Sequence, residues 1–174
     1  NIKLIYNDVR KFGFIKILNL SQFNNNLHLK KLGPEPLDKE CNLNYLKNYI
    51  SGRNRSIKDI LMDQKCIAGL GNIYVNEILF LSGVKPLRKV KKLKQFEIKK
   101  IIQNMKLILK KSIELGGSSI KDFSSDDGKK GVFQQYFRVY GRTGEKCSNT
   151  DCNKTIIRTV VSNRASFFCN FCQK

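Results

Sequence analysis

No stretch of the 174-residue chain offers the ~18 consecutive apolar residues that crossing a bilayer requires. Its first residues also lack the charged, apolar and small-residue order of a signal peptide. The expectation is a soluble protein of the cell interior with no membrane partner. Low-complexity tracts are missing too, and a hydrophobic content of 41% suits a folded chain, long enough for one domain with a real core or two small ones. Acidic residues are scarce. There are 14 against 33 lysines and arginines, a net charge of +19. Such an excess repels itself in a compact state and normally answers to a polyanion, so nucleic acid is the expected partner. The cations are spread along the whole chain and do not form a tail. An AT-rich coding bias, visible in Lys91-Lys92-Leu93-Lys94 and Asn24-Asn25-Asn26, accounts for part of the lysine excess but not all of it.

Six cysteines are present, and their spacing argues against a secreted disulfide framework. Cys41 and Cys66 stand alone and read as inert buried thiols of a reducing compartment. The other four form two knuckles, Cys147-x4-Cys152 and Cys169-x2-Cys172, separated by 16 residues. Short knuckles let two thiolates reach one ion, and a hairpin between them completes a tetrahedron, so the expected cofactor is one structural Zn2+. A segment of ~30 residues has too little core to fold unaided, and the metal would supply the missing stability. Iron–sulfur and disulfide arrangements remain open on spacing alone. No aspartate or histidine joins the set, which argues against an open catalytic zinc.

Residues 1–20 read as strands, with Ile2, Leu4 and Tyr6 alternating and Phe14, Ile15, Ile17 and Leu18 following Gly13. Two short strands cannot stand alone, so they are expected to be the last strands of a sheet whose other members lie elsewhere. Pro34-Glu35-Pro36 reads as a stiff linker and domain boundary. Helical periods then appear: Leu43, Leu46, Tyr49 and Ile50, stopped by Gly52; Ile57, Ile60 and Leu61; and a helix holding Ile73, Ile78 and Leu79 with Asn72 as its cap. A long helix carries Ile98, Ile101, Ile102, Met105, Ile108, Leu109 and Ile113 on one stripe, ended by Gly116-Gly117. Ser118 to Gln135 reads as a long polar loop of functional type. Thr155–Val161 and Ser166–Cys169 read as strands around a turn Ser162-Asn163-Arg164-Ala165.

Three places carry candidate nucleic-acid chemistry. Arg164, in the turn among small residues, suits a phosphate, although an ordinary solvated arginine would look the same. Gly69-Leu70-Gly71-Asn72 allows close backbone approach to an anion at a helix start, with Lys58 nearby, against the plainer reading of a helix–turn–helix connection. In Asp8-Val9-Arg10-Lys11-Phe12-Gly13, Arg10 could bond a base edge and Phe12 could wedge between bases, unless Phe12 belongs to a core.

Together these segments, with Leu61-Met62-Asp63-Gln64-Lys65, Gly69 to Glu77, Gly116 to Phe123, Asp127-Gly128-Lys129, Val139-Tyr140-Gly141-Arg142 and Arg164 to Lys174, resemble the C-terminal two-thirds of the bacterial formamidopyrimidine-DNA glycosylase family. The resemblance implies a mainly α chain with small β elements. Residues 1–37 would be the remnant of a β-sandwich domain and linker, 38–135 a helix–two-turn–helix domain with a lesion-capping loop, and 136–174 a four-cysteine zinc β-hairpin. It further implies base-excision repair by a monomeric bifunctional DNA glycosylase and AP lyase in the bacterial cytoplasm, at the nucleoid. The partner would be duplex DNA containing oxidised purines, 8-oxoguanine or formamidopyrimidine, kinked around an everted base.

By matching position, Arg10 would contact the unpaired cytosine and Phe12 would enter the stack. Lys58, Asn72 and Arg164 would hold phosphates. Arg164 would also be the catalytic proton donor for δ-elimination, and Gly117 to Gln134 would form the flap over the base. Lys11 replaces the family's usual second arginine, the first knuckle has four intervening residues where many members have two, and Asn54 replaces a common lysine or arginine. The family's N-terminal proline nucleophile and following glutamate are not Asn1-Ile2, so the chain is expected to be a piece of a longer protein and inactive in base excision alone. A non-catalytic damaged-DNA-binding module of the same family and an endonuclease VIII-type glycosylase are the competing readings. A ribosomal or transcription-associated zinc ribbon would need neither Arg10 and Phe12 nor the loop.

Overall fold

The computed structural model describes residues 3, 5, 6, 8, 11, 13–23, 25–118 and 131–174. The chain divides into two compact units, residues 1–31 and 32–174. In the first, no strand forms among the described residues; two four-residue helices, α1 (Leu20–Phe23) and α2 (Leu27–Lys30), appear there. The strands expected over residues 1–20 are therefore not seen at the described positions, while Ile2 and Leu4, which carried part of that expectation, lie outside the described residues. Alternation cannot hold an extended segment in a sheet without ladder partners, and the described residues supply none. Ile5, Ile17 and Leu20 are 84%, 94% and 91% exposed.

The second unit follows the helical pattern closely. In α3 (Leu43–Ile50), Asn42 Oδ1 accepts from Tyr45 N at 3.0 Å, and Leu46 and Ile50 are buried. Gly52 follows with φ 71°, the left-handed region that glycine adopts most cheaply. Helix α4 (Ile57–Leu61) is capped reciprocally: Ser56 Oγ accepts from Asp59 N at 3.1 Å and donates to Asp59 Oδ2 at 2.7 Å. In α5 (Asn72–Ser82) the cap differs from expectation. Gly71 holds that position without a side-chain bond, and Asn72 is the first helical residue. Its amide is engaged elsewhere, as described below.

Helix α6 (Gln95–Glu114) begins where Glu97 Oε2 accepts from Lys94 N at 2.8 Å and Glu97 Oε1 pairs with Arg88 at 2.6 Å. Its stripe buries Ile98, Ile101, Ile102, Met105 and Ile108. The expected continuation to Ile113 fails, since that side chain is 67% exposed. After Gly116 and Gly117 the chain returns at Gly131, where a Cβ would collide with the Gly116 and Gly117 carbonyls. The expected loop therefore closes on its own stem through a Ser118–Val132 bridge, and residues 119–130 lie outside the described set. Its far end is not polar coil. Phe133–Tyr136 form a 3-10 turn, and Phe133 is buried against the Tyr74 ring at 5.8 Å.

Strands β1 (Ile156–Val161) and β2 (Arg164–Cys169) pair antiparallel from Ile156–Cys169 to Val161–Arg164. The turn is only Ser162-Asn163, with φ 46° and 61°, the left-handed pair that a two-residue type I′ hairpin needs. Arg164 thus opens β2 and is not part of the turn. Helix α5 packs against α6, α4 and β2, so it is the spine on which the hairpin rests. No helix among the described residues is long and apolar enough to cross a membrane.

Candidate metal centre and nucleic-acid interface

The two knuckles converge. The four Sγ atoms of Cys147, Cys152, Cys169 and Cys172 lie within 4.8 Å of one another. Cys147 and Cys172 are 3.8 Å apart, and Cys152 and Cys169 are 3.6 Å apart. A tetrahedron with Zn–S bonds of ~2.3 Å has edges of roughly 3.8 Å, so the spacing fits a four-thiolate metal site. Burial raises the Cys169 thiol, but the N–H groups of Cys172 and Phe171 and the neighbouring thiols outweigh it and bring the pKa down to about 7. Burial pushes Cys147 up to about 12, helped by the hydrogen bonds it shares with the other three. One thiolate thus forms readily while Cys147 and Cys172 resist losing protons without a cation to share.

The second knuckle is braced by a residue the sequence did not flag. Gln173 is fully buried; its Oε1 accepts from Cys169 N at 3.0 Å and its Nε2 donates to the Val84 carbonyl at 2.8 Å. Glu77, also missed, is buried on α5 and accepts from the backbone N–H of Arg138, Val139 and Tyr140 at 2.8, 3.0 and 2.8 Å. Burial raises its carboxyl pKa, with those three donors pulling the other way. The available signal was a charged or amide group on an otherwise apolar helix, Glu77 and Asn76 within Val75 to Leu79.

The expected phosphate residues come together around the hairpin. Arg164 is exposed at the start of β2. Asn72 Nδ2 donates to the Ala165 carbonyl at 3.0 Å. Lys58 is not presented to solvent: it is 1% exposed, and its Nζ donates to the same carbonyl and to Ser166 Oγ, both at 2.7 Å. Burial, with Arg164 nearby, lowers its pKa to about 8 despite Asp59 acting in the opposite sense. An open groove of about 520 Å3 runs beside these groups, lined by Arg55, Asp63, Lys65, Ser162 and Arg164 among others.

At the glycine turn, Gln64 Oε1 accepts from Gly69 N at 2.7 Å and Gln64 Nε2 donates to the Leu70 carbonyl at 3.0 Å, which pins the loop. Nothing lies within 4 Å of a Cβ built on Gly69 or Gly71, so the backbone there faces open space. Arg10 and Phe12 lie outside the described residues. Cys41 and Cys66 are wholly buried in the helical core, and burial pushes Cys66 up to about 12, as expected of inert thiols.

The profile described as Formamidopyrimidine-DNA glycosylase H2TH domain matches residues 32–124, just over half of the chain. A formamidopyrimidine-DNA glycosylase of Ruegeria pomeroyi is 41% identical over 172 residues, covering 99% of this chain and 61% of its own length. Among solved structures, the Lactococcus lactis Fpg in complex with abasic-site DNA aligns with a TM-score of 0.87 and 38% identity, covering 96% of this chain and 60% of that one. MutM in complex with DNA containing carbocyclic 8-oxo-G gives 0.86 and 37%, again covering 96% and 60%. The chain therefore spans about three-fifths of the relatives it matches. The matched profile, the clustered thiols and the hairpin seated on α5 agree, and the chain belongs to the formamidopyrimidine-DNA glycosylase H2TH-domain family.

Proposed function

We propose that this chain serves DNA base-excision repair, binding and kinking duplex DNA at oxidised purines such as 8-oxoguanine and formamidopyrimidine. The whole protein would act as a bifunctional glycosylase and AP lyase, ending in β,δ-elimination at the abasic site. The observation that carries this reading is Arg164, exposed on a rigid two-residue hairpin that is docked against the glycine turn by the Asn72–Ala165 bond. Relatives solved with abasic-site and 8-oxo-G DNA support it.

In this reading Arg164 and Asn72 hold backbone phosphates beside the lesion, where a guanidinium fork and exposed amides suit the anion. Arg164 then also serves as proton donor in δ-elimination. Arg10 meets the orphaned cytosine and Phe12 wedges into the stack, offsetting part of the few kcal/mol that base extrusion costs. Lys58, whose donors face the hairpin, contributes through it. The segment from Gly117 to Gln134 serves as the flap. The division is 1–37, 38–135 and 136–174, as the family organisation implies. One Zn2+ held by Cys147, Cys152, Cys169 and Cys172 is structural: when bound it supplies folding free energy to the hairpin and does no bond-breaking. The protein works as a cytoplasmic monomer at the nucleoid.

The test is a binding titration of this chain against matched duplexes with and without an 8-oxoguanine. Tighter, salt-dependent binding to the damaged duplex is expected, with Arg164→Ala lowering the log–log salt slope by about one. Equal affinity for both duplexes would refute lesion recognition, and an unchanged slope would refute the Arg164 phosphate contact.

A further inference from the structure

Three consecutive residues behind Arg164 are gripped from the helical region. The Ala165 carbonyl accepts from both Lys58 Nζ and Asn72 Nδ2, at 2.7 and 3.0 Å. Ser166 Oγ accepts from Lys58 Nζ at 2.7 Å, and Phe167 N donates to Asn76 Oδ1 at 2.8 Å. Asn76 is wholly buried and also donates to the Asn72 carbonyl at 2.6 Å, which joins the clasp into one network. Helix α4 therefore holds the hairpin directly behind the arginine through Lys58, while Arg164 itself stays exposed.

A long, strongly hydrated ammonium is an expensive group to bury among neutral acceptors. Its two bonds lock β2 at the residue following Arg164, and no carboxylate bonds to Nζ among the described residues. A lysine serving as a phosphate contact would instead keep its head in solvent.

We propose that Lys58 is a positioning residue: it aims Arg164 at a phosphate by fixing Ala165 and Ser166, and does not itself contact DNA. The inference rests on the DNA reading above, and it removes Lys58 from the phosphate-holding set that resemblance alone would assign. It also makes a particular claim about energetics. Residues acting through one group are non-additive, whereas two separate phosphate contacts add in both affinity and salt slope.

The experiment measures binding of the 174-residue chain to a duplex carrying a tetrahydrofuran abasic-site analogue, across a salt series, for Lys58→Met, Arg164→Ala and the double variant. Each single variant is expected to weaken binding about three- to ten-fold and lower the slope by about one, and the double variant to match Arg164→Ala. A double variant that loses a further unit of slope would show that Lys58 holds its own phosphate and would overturn the proposal. If Lys58→Met does not fold, Ser166→Ala removes one acceptor of Lys58 without changing any charge. It should weaken binding two-fold or more when Arg164 is present and leave the Arg164→Ala background unchanged, on the same non-additivity argument. Equal effects in both backgrounds, or none in either, would overturn the proposal. Absence of any salt-dependent binding by the unsubstituted chain would remove the DNA reading and the positioning role with it, whereas additive losses remove the positioning role alone.

Discussion

The helical region and the cysteine hairpin sit on opposite faces of α5 and are held by different physics. Towards α6, the helix packs into an apolar cluster that includes Leu46, Ile60, Leu61, Ile78, Leu79, Ile101 and Met105, each 0% exposed. Burying each such side chain is worth roughly 1.5–3 kcal/mol, enough to hold the helices without a cofactor. Towards the hairpin, the second cluster is small: Phe80, Val139, Ile156 and Phe167 with Cys147, Cys152 and Cys169. Here the hairpin is held by four clustered thiols that could bind a metal and by polar side chains bonded to backbone: Lys58, Asn76, Glu77 and Gln173, which are buried, and Asn72, which is half-buried. The lesson is that the hairpin is positioned by directional bonds. Such bonds fix an arginine's aim better than non-directional apolar packing does.

The sharpest way to break this comparison is to strip the zinc proposed for the four thiols. Chelation should cost the hairpin a binding free energy on the order of 10 kcal/mol. Amide hydrogen exchange should then lose its protection over Ile156–Cys169 while α5 and α6 stay protected, and elemental analysis beforehand should find one zinc per chain. Uniform loss in both regions would show that the two faces share one stability. A smaller effect is expected from the other side of the helix. Leu79→Ala should cost about 2–5 kcal/mol by denaturant unfolding, through a cavity in the apolar cluster. A cost under 1 kcal/mol would mean that this core is loosely packed.

The smallest effect concerns Lys58. Its folded pKa of about 8 lies below the ordinary 10.5, so between those values the unfolded chain holds more protons than the native one. Stability attributable to this group therefore rises as pH goes from 8 towards 10.5, as the cost of burying the ammonium is relieved. Buried thiols such as Cys66, raised to about 12, act with the opposite sign, so the measurement is the difference between the unsubstituted chain and Lys58→Met. That difference should shift by on the order of 1 kcal/mol in favour of the unsubstituted chain across the window. A flat difference would show that the buried amine carries no such penalty.

Much of this was readable from local pattern. Leu43 to Ile50, Ile57 to Leu61 and Ile98 to Ile108 announce their helices because a 3.6-residue period is a property of neighbours in sequence. Gly52 and Gly83 mark helix ends because few other residues adopt a positive φ cheaply. The cysteine spacing foretold the cluster because a short knuckle leaves its thiols few other places to go. Ile113 misled because periodicity does not report where a neighbouring layer ends. Among the described residues of 1–20 no strand forms, because alternation describes a strand's faces but cannot supply its partners.

By itself, then, the amino-acid order determined the helices, the four-thiol site, the basic character and the family likeness, all of which depend on residue type and short spacing. Only the tertiary structure decided what the polar side chains do. Lys58 meets Ala165 across 107 residues of sequence, and Asn76 meets Phe167 across 91. No period or motif encodes such a pairing, because it exists only once α5 has brought α4 and the hairpin together. For the same reason Arg164 was legible as an exposed cation, while the clasp that aims it was not.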